Sequence, residues 1–323
     1  MGSKIWLLIY FLIYRKALTL DKNNVMKLCQ NTFEWGDYID KVWSIWLQEP
    51  NTTFYVVEKC EKNNYEKNIV GIGHCALCSN KTMVWIEGIR VHTHFRRNNI
   101  ASTLIIKMLN QGINNKINLA STIVSIKNIA SQNLMEKHGF NLISKWVYVS
   151  IKPHQIQKDN NVRFARISDY KNILKYLKES DIFSRSGKRY VHSWRWYFLT
   201  NHLLYKFLKN RQIILATGNQ SSIIQGILIF DQNGYWNDST KFQVMYVDVL
   251  SDYYLPQLIE FTINLVFIIN KSHKKKYHDS LKPYFHKIQF FIPSILYKDT
   301  LFAKENTKYV EEFFLYNNNL SVE

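Results

Sequence analysis

One succession of apolar runs and breaks appears twice along this 323-residue chain, and it limits the folds available more than any other feature. Tyr14-Arg15-Lys16-Ala17 is echoed by Val162-Arg163-Phe164-Ala165. In the first half Ile13–Ala17 reads as a strand. Val25, Leu28, Cys29, Thr32 and Phe33 then recur at helical spacing. Trp35-Gly36-Asp37 breaks that run, and Ile39, Val42, Trp43, Trp46 and Leu47 mark a second helix ending before Pro50. Phe54–Glu58, Ile69–Cys78 and Met83–Val91 read as strands, the first two joined by a polar hairpin loop over 61–68. A helix over Ala101–Gln111, a strand over Ala120–Ile126, a helix over Ser131–His138 stopped by Gly139, and closing strands over Phe140–Ile151 complete the half. The second half repeats the order: helix Ile173–Lys178, strands Ile213–Thr217, Ile223–Phe230 and Phe242–Leu250, helix Leu255–Asn270 and strand His286–Ile292. Polar residues 153–161 read as a linker. The sequence therefore predicts an α/β chain of the α+β type. It has two domains, 13–152 and 162–323, each a mixed, mainly antiparallel sheet flanked by helices.

Charge and cysteines bound the partners. Hydrophobic residues make up 46% and aromatic residues 15% of the chain, which excludes a disordered or collagen-like polymer. The net charge of +17 is spread as +10 over 1–158 and +7 over 159–323, with one sharp cluster at Lys274-Lys275-Lys276. So even a spread predicts no specific nucleic-acid partner, although a phosphate-rich ligand fits it. Ile5–Tyr14 is apolar but too short to span a bilayer, so no transmembrane span is expected. Cys75 and Cys78 have CxxC spacing, but no second pair or histidine cluster completes a metal site, so no metal is expected. With Cys29 and Cys60 they read as buried thiols in a reducing, cytoplasmic compartment.

The segment with chemical content runs from Trp85 to Ser102. An apolar strand, Trp85-Ile86-Glu87-Gly88-Ile89-Arg90-Val91, enters a basic loop, His92-Thr93-His94-Phe95-Arg96-Arg97-Asn98-Asn99, and Ile100-Ala101-Ser102 opens a helix. Such a strand–loop–helix turn suits a pyrophosphate: loop N–H groups and the helix N-terminus face the anion, and Arg96 and Arg97 add full charges. Ala101 and Ser102 are small where the backbone must approach closely.

These residues resemble the GNAT superfamily of acyl-CoA-dependent N-acetyltransferases. Arg96-Arg97-Asn98-Asn99-Ile100-Ala101 stands where that family has Arg/Gln-x-x-Gly-x-Gly/Ala. The family's later motif is matched by Asn128-Ile129-Ala130-Ser131 and Met135-Glu136-Lys137-His138-Gly139-Phe140. The resemblance covers about 13–151. The second half shares the element order alone, which implies two tandem GNAT-like domains with a degenerate second copy, as in the histidine N-acetyltransferase-like branch. It implies acetyl-CoA as acyl donor, bound by Ile89, Arg90, Val91, Arg96, Arg97, Asn98, Asn99, Ile100, Ala101, Ser102, Asn128 and Ser131. It further implies an N-acetyltransferase acting on an amine acceptor, whether a small molecule, a protein N-terminus or a lysine. Glu87 is the implied base, and Trp35 and Asp37 the implied acceptor contacts. Two positions depart from the pattern. Asn99 replaces the central glycine and must tolerate positive φ. Met135 replaces the tyrosine that protonates the leaving thiolate.

Two other readings stand beside this one: a non-catalytic acyl-CoA-binding module, motivated by Asn99 and Met135, and a nucleic-acid-associated protein, motivated by the charge. His92 and His94 read as structural or exposed, the tryptophans at 43 and 46 as core, and Arg185–Arg189 as an exposed loop. After Phe242–Leu250 the second half continues as Ser251-Asp252-Tyr253-Tyr254-Leu255-Pro256, acidic and aromatic where the first half is basic, so no second CoA site is expected.

Overall fold

The computed structural model describes residues 10–30, 32, 36–61, 64–78, 81–156, 161–218, 223–232, 241–276, 285–297 and 309–321. The chain divides into two compact units that interrupt each other in sequence. The first comprises residues up to Ile123, Ile129–Asn141 and Tyr316–Glu323; the second comprises Val124–Asn128 and Leu142–Leu315.

In the first unit, β1 (Tyr10–Lys16) pairs antiparallel with β2 (Thr52–Glu61), β2 with β3 (Asn64–Leu77), and β3 with β4 (Val84–Val91). Between β1 and β2 lie α1 (Lys22–Cys29) and α2 (Ile39–Gln48). The helical spacing seen in the sequence is realised: Val25 and Cys29 of α1 are buried, as are Ile39, Val42, Trp43 and Trp46 of α2. The β2–β3 hairpin is longer than the polar composition of 61–68 suggests, because β2 reaches Glu61 and β3 starts at Asn64. Cross-strand pairing there overrides low intrinsic strand propensity.

Helix α3 (Ile100–Asn114) follows β4. It buries Ile100, Leu104, Ile105 and Met108 against β3, whose Gly71 and Gly73 leave room for it. A Cβ at Gly71 would stand 2.9 Å from the Ile100 side chain, so glycine fixes how low the helix sits on the sheet. Then come β5 (Leu119–Ser125) and α4 (Ile129–Lys137). Residues from the far end of the chain complete the unit. Leu320 N donates to Asn118 O (2.8 Å), Ser121 Oγ to Asn317 Oδ1 (2.6 Å), and Asn318 Nδ2 to His138 O (2.7 Å).

The second unit contains β6 (Asn141–Ile151), β7 (Val162–Phe164), α5 (Tyr170–Glu179), α6 (Asp181–Arg185), the hairpin β8 (Arg189–His192) and β9 (Arg195–Phe198), α7 (Asn201–Lys209), β10 (Ile213–Thr217), β11 (Ile224–Asp231), β12 (Lys241–Val249), α8 (Tyr254–Lys276), β13 (Lys287–Pro293) and β14 (Tyr309–Asn319). Its sheet runs β6-β13-β12-β11-β10-β7, antiparallel except for the parallel pair β12–β13. The core is aliphatic and aromatic, with Val147, Val149, Leu228, Val244, Val247, Leu258 and Phe290 all but inaccessible. Strand β6, expected to close the first domain, falls in this unit apart from its first residue and pairs with β13. Arg185–Arg189, expected as an exposed loop, is instead the end of α6 and a tight turn. Gly187 and Lys188 have φ of 71° and 56°, and Arg189 is completely buried.

Each unit has an arginine–aspartate clasp, next to β1 in one and β7 in the other. In the first unit Arg15 grips Asp21 with Nη1 (2.7 Å) and Nη2 (2.9 Å), while Asp21 caps the Leu18 amide (2.8 Å). In the second, Arg163 grips Asp169 at 2.7 and 2.9 Å, and Asp169 caps the Arg166 amide (2.7 Å). The first strand then joins its neighbour by Ala17 N to Phe54 O in one unit and Ala165 N to Ile213 O in the other.

Candidate active site

Strand β4 changes character halfway along. Ile72 pairs with Arg90 and His74 with Glu87, so two steps on β3 face three on β4: an extra residue makes a β-bulge at Gly88–Ile89. Gly88 has φ of 68°, and a Cβ there would lie 2.6 Å from the Trp46 ring, so conformation and space both demand glycine. On its other side β4 pairs with β5 only at Val84↔Ala120 and Trp85↔Ser121. Beyond Trp85 no strand pairing to β5 occurs among the described residues, which leaves the backbone edge of Glu87–Val91 open to an extended, amide-bearing ligand.

Glu87, the last residue of β4 in regular register before the bulge, lies in a polar cluster. Its Oε1 lies 2.9 Å from His74 Nδ1, and its Oε2 accepts from Trp85 Nε1 at 3.1 Å. With Glu87 ionised, Nδ1 is the donor, which fixes the imidazole tautomer. His74 is fully buried and stacks flat on Trp46, ring centroids 4.2 Å apart. Glu87 keeps about 9% side-chain exposure, so the carboxylate is reachable but mostly dry.

Arg90 and Asp37, expected to contact cofactor and acceptor respectively, hold each other: Nε to Oδ2 at 2.8 Å and Nη2 to Oδ1 at 3.2 Å. The Arg90 guanidinium also lies 5.2 Å from the Tyr38 ring centroid. Burial works against the Arg90 charge, but Tyr38 and Asp37 outweigh it and hold its pKa above the ordinary value. Burial likewise raises the Tyr38 hydroxyl, with Glu87 and Asp37 adding to the effect against Arg90. Burial, reinforced by Asp37, pushes the Cys29 thiol up to about 12, which rules it out as a nucleophile at neutral pH. Trp35 lies outside the described residues.

After β4, a 3-10 turn at Thr93–Phe95 leads into the basic loop. Arg96, Arg97, Asn98 and Asn99 are exposed, Ile100 is buried, and Ala101 and Ser102 are half-buried. Arg97 and Asn99 adopt φ of 65° and 57°. Asn99, in the left-handed region, is the N-cap of α3 and makes no side-chain capping bond, so it does what the missing glycine would. Positive φ at an arginine is strained by about 1 kcal/mol or more, a feature concentrated at ligand clamps. The first amides of α3 are thus presented with no side-chain cap, just after two exposed arginines in the chain. This cradle fits a pyrophosphate.

Asn128 immediately precedes α4 but belongs to the second unit; Ser131 lies on α4 in the first. Met135 is buried at 4% exposure, and its neighbour Glu136 accepts from the Tyr316 hydroxyl at 3.3 Å. His74 and Tyr38 are the cluster members that the sequence reading missed. A lone histidine between Gly73 and Cys75, in an otherwise apolar strand, was the available signal. Among the described residues no group of three or more His, Cys, Asp or Glu is placed to hold a metal ion, and no helix is long and apolar enough to cross a membrane.

Comparison with known proteins agrees with this geometry. The acetyltransferase (GNAT) family matches residues 22–140. Among solved structures, the chain is similar to a GCN5-related N-acetyltransferase from Sphaerobacter thermophilus, with 12% identity, a TM-score of 0.57 and 95% of each chain covered. It is also similar to a GCN5-related glucosamine N-acetyltransferase region of a fungal multi-domain GH3 β-N-acetylglucosaminidase. That likeness has 11% identity and a TM-score of 0.58, covering 96% of this chain and 38% of the other. At such identities these likenesses establish the fold alone. No curated protein matches the sequence. The family match thus spans residues 22–140, the stretch that holds β4, the arginine loop, α3 and α4.

Proposed function

We propose that the protein transfers an acetyl group from acetyl-CoA to a primary amine, with the first unit as the catalytic one. One observation carries the reading: β4 is bulged at Gly88, unpaired toward β5 beyond Trp85, and continuous with an arginine-flanked, uncapped helix start. Arg96 and Arg97, with the amides of Asn98 to Ser102, hold the CoA phosphates. The open edge at Ile89 and Val91 takes the pantetheine arm and polarises the thioester carbonyl through a backbone N–H. Glu87, held by His74 and Trp85, removes a proton from the bound ammonium directly or through water. The neutral amine then attacks the carbonyl carbon, the C–S bond breaks, the sulfur departs with the electron pair, and the proton shed by the attacking nitrogen passes, directly or through water, to that thiolate, leaving the amide and the free CoA thiol. Asp37 acts through Arg90, fixing the approach to α2 beside the acceptor rather than touching it. The recurring Arg–Asp clasp supports reading the second unit as a tandem, degenerate copy. The free thiols are consistent with a cytoplasmic site of action.

The buried Met135 favours a second reading, acyl-CoA binding with little turnover, because a thioether cannot protonate a thiolate. One experiment separates the two: calorimetric titration with CoA, followed by free-thiol release from acetyl-CoA across a library of amines. Binding with thiol release on at least one amine supports the transferase. Binding without release supports the second reading, and no binding sinks both.

A further inference from the structure

The second unit contains a cavity of about 510 Å³ that the acetyl-transfer reading does not use. Four cationic side chains line it, Arg163, Arg166, Lys209 and Arg211, over an apolar floor that includes Phe164 and Leu208. Only Arg163 is neutralised, by its two-pronged grip on Asp169 at 2.7 and 2.9 Å. Arg166, Lys209 and Arg211 are exposed, and among the described residues none forms an ion pair. The C-terminal end of α7 offers partial negative charge to Lys209 and Arg211. Arg166 stands at the start of the turn Ile167–Asp169 and feels the Asp169 carboxylate, which is already gripped by Arg163. Arg211 is held at φ of 57°, unusual for a non-glycine residue, with its guanidinium 5.7 Å from the Phe164 ring centroid. Phe164 is itself fixed by Phe230 and Phe261, at 6.4 and 5.9 Å between ring centroids. Four cations stand around one space against a single full negative charge, Asp169, and a bound dianion would offset the excess.

We infer that this cavity binds a small organic phosphate monoester. Arg166 and Arg211 supply fork donors and Lys209 a third charge to the phosphoryl oxygens, while the carbon portion lies on Phe164 and Leu208. The volume suits a small metabolite. The site follows β7 and α7, whereas the arginine loop proposed for CoA follows β4, so the two inferences stand or fall separately.

The test is calorimetric titration of phenyl phosphate into the full chain carrying Arg96→Ala and Arg97→Ala, which removes the first unit's loop as a competing phosphate site. One-site saturable binding is expected. Adding Arg166→Ala and Arg211→Ala, or separately Lys209→Glu, should weaken it by about tenfold or more, with the melting temperature unchanged because these side chains are exposed. Phenol, which lacks the phosphoryl group, should not bind. Absence of saturable binding, or an affinity that neither variant alters, would overturn the inference. Inorganic phosphate binding as tightly as phenyl phosphate would overturn it as well, since the apolar floor would then contribute nothing.

Discussion

Arg96 and Arg97 are exposed, and the Arg96 guanidinium makes only a long, exposed bond to Val91 O (3.4 Å), so replacing both with Ala separates binding from folding. Each charge-assisted contact to a phosphate contributes about 1.5–3 kcal/mol, so CoA affinity should fall by more than about tenfold while the apo melting temperature stays put. An unchanged calorimetric affinity would remove these residues from the site. Glu87→Gln should preserve the Trp85 hydrogen bond and lower kcat by about 10²–10⁴, a loss that rising pH partly restores as more of the amine is free. A pH-independent loss would show that Glu87 orients rather than accepts a proton. Met135→Tyr asks the converse question. If thiolate protonation limits turnover, kcat should rise; an unaltered kcat would mean that another group protonates the thiolate or that another step is slower. These residues differ in how legible they were. The arginine loop was readable because charge, small residues and a strand–helix junction coincide in the eighteen consecutive positions from Trp85 to Ser102. His74 and Tyr38 were not, because they come from β3 and the approach to α2. The register running from Leu77↔Val84 brings His74 opposite Glu87, and no local pattern announces that pairing.

At the scale of the element, the amphipathic helices and buried strands were legible because their apolar period matches their burial. What the sequence left dark was irregularity: the bulge in β4, the length of the β2–β3 hairpin and the whole of β8–β9. Strands β12 and β13 pair only from Lys241↔Lys287 to Val244↔Phe290 and then part, as β4 and β5 do. There, however, Phe291 is packed by Trp194 and Trp196, at 4.9 and 5.5 Å between ring centroids, so aromatic rings occupy the space beside the parted strand. In the first unit, Gly88→Ala would drive a Cβ into Trp46 and strain a φ of 68°. We expect a loss of about 1–3 kcal/mol in stability and a larger loss of turnover, because the strain falls on the residue next to Glu87 and on the strand edge that follows it. Stability intact in a chemical melt would show that β4 tolerates a regular pairing. The clasp in the second unit gives a pH signature. Arg163, before all other causes, lowers the pKa of Asp169. A carboxylate so depressed stabilises the fold fully above its unfolded pKa, near 4, and loses that contribution as pH falls through its folded value. Asp169→Asn should therefore lower the melting temperature at pH 7, with the deficit against wild type shrinking below about pH 4. A deficit independent of pH would mean that the clasp acts by geometry and not by charge.

At the scale of the whole molecule, the sequence suggested two consecutive halves, and on that reading a chain stopped near Asn160 would keep its CoA site. The structure divides differently, because Tyr316–Glu323 belongs to the first unit. Nothing in local composition announces this: Tyr316-Asn317-Asn318-Asn319 reads as a polar tail, and its partners at Asn118, Ser121 and His138 lie some 180–200 positions away. Such non-local pairing is invisible to periodicity and slow to form. Its removal exposes more than a few hydrogen bonds. Leu320 sits 2.8 Å from the Cβ position that Gly112 of α3 lacks, and Tyr316 is buried at 1% exposure. Losing one buried aromatic and one buried leucine costs on the order of 5 kcal/mol or more, comparable to the whole stability of a domain. We therefore expect a chain ending at Leu315 to lose the cooperative melt of the first unit and its CoA affinity together, although every residue of the arginine loop remains. Leu320→Ala should produce the same change in milder form. A truncated chain that melts cooperatively and binds CoA as the full chain does would show that the first unit needs nothing from the far end, and that the consecutive halves are the true folding units.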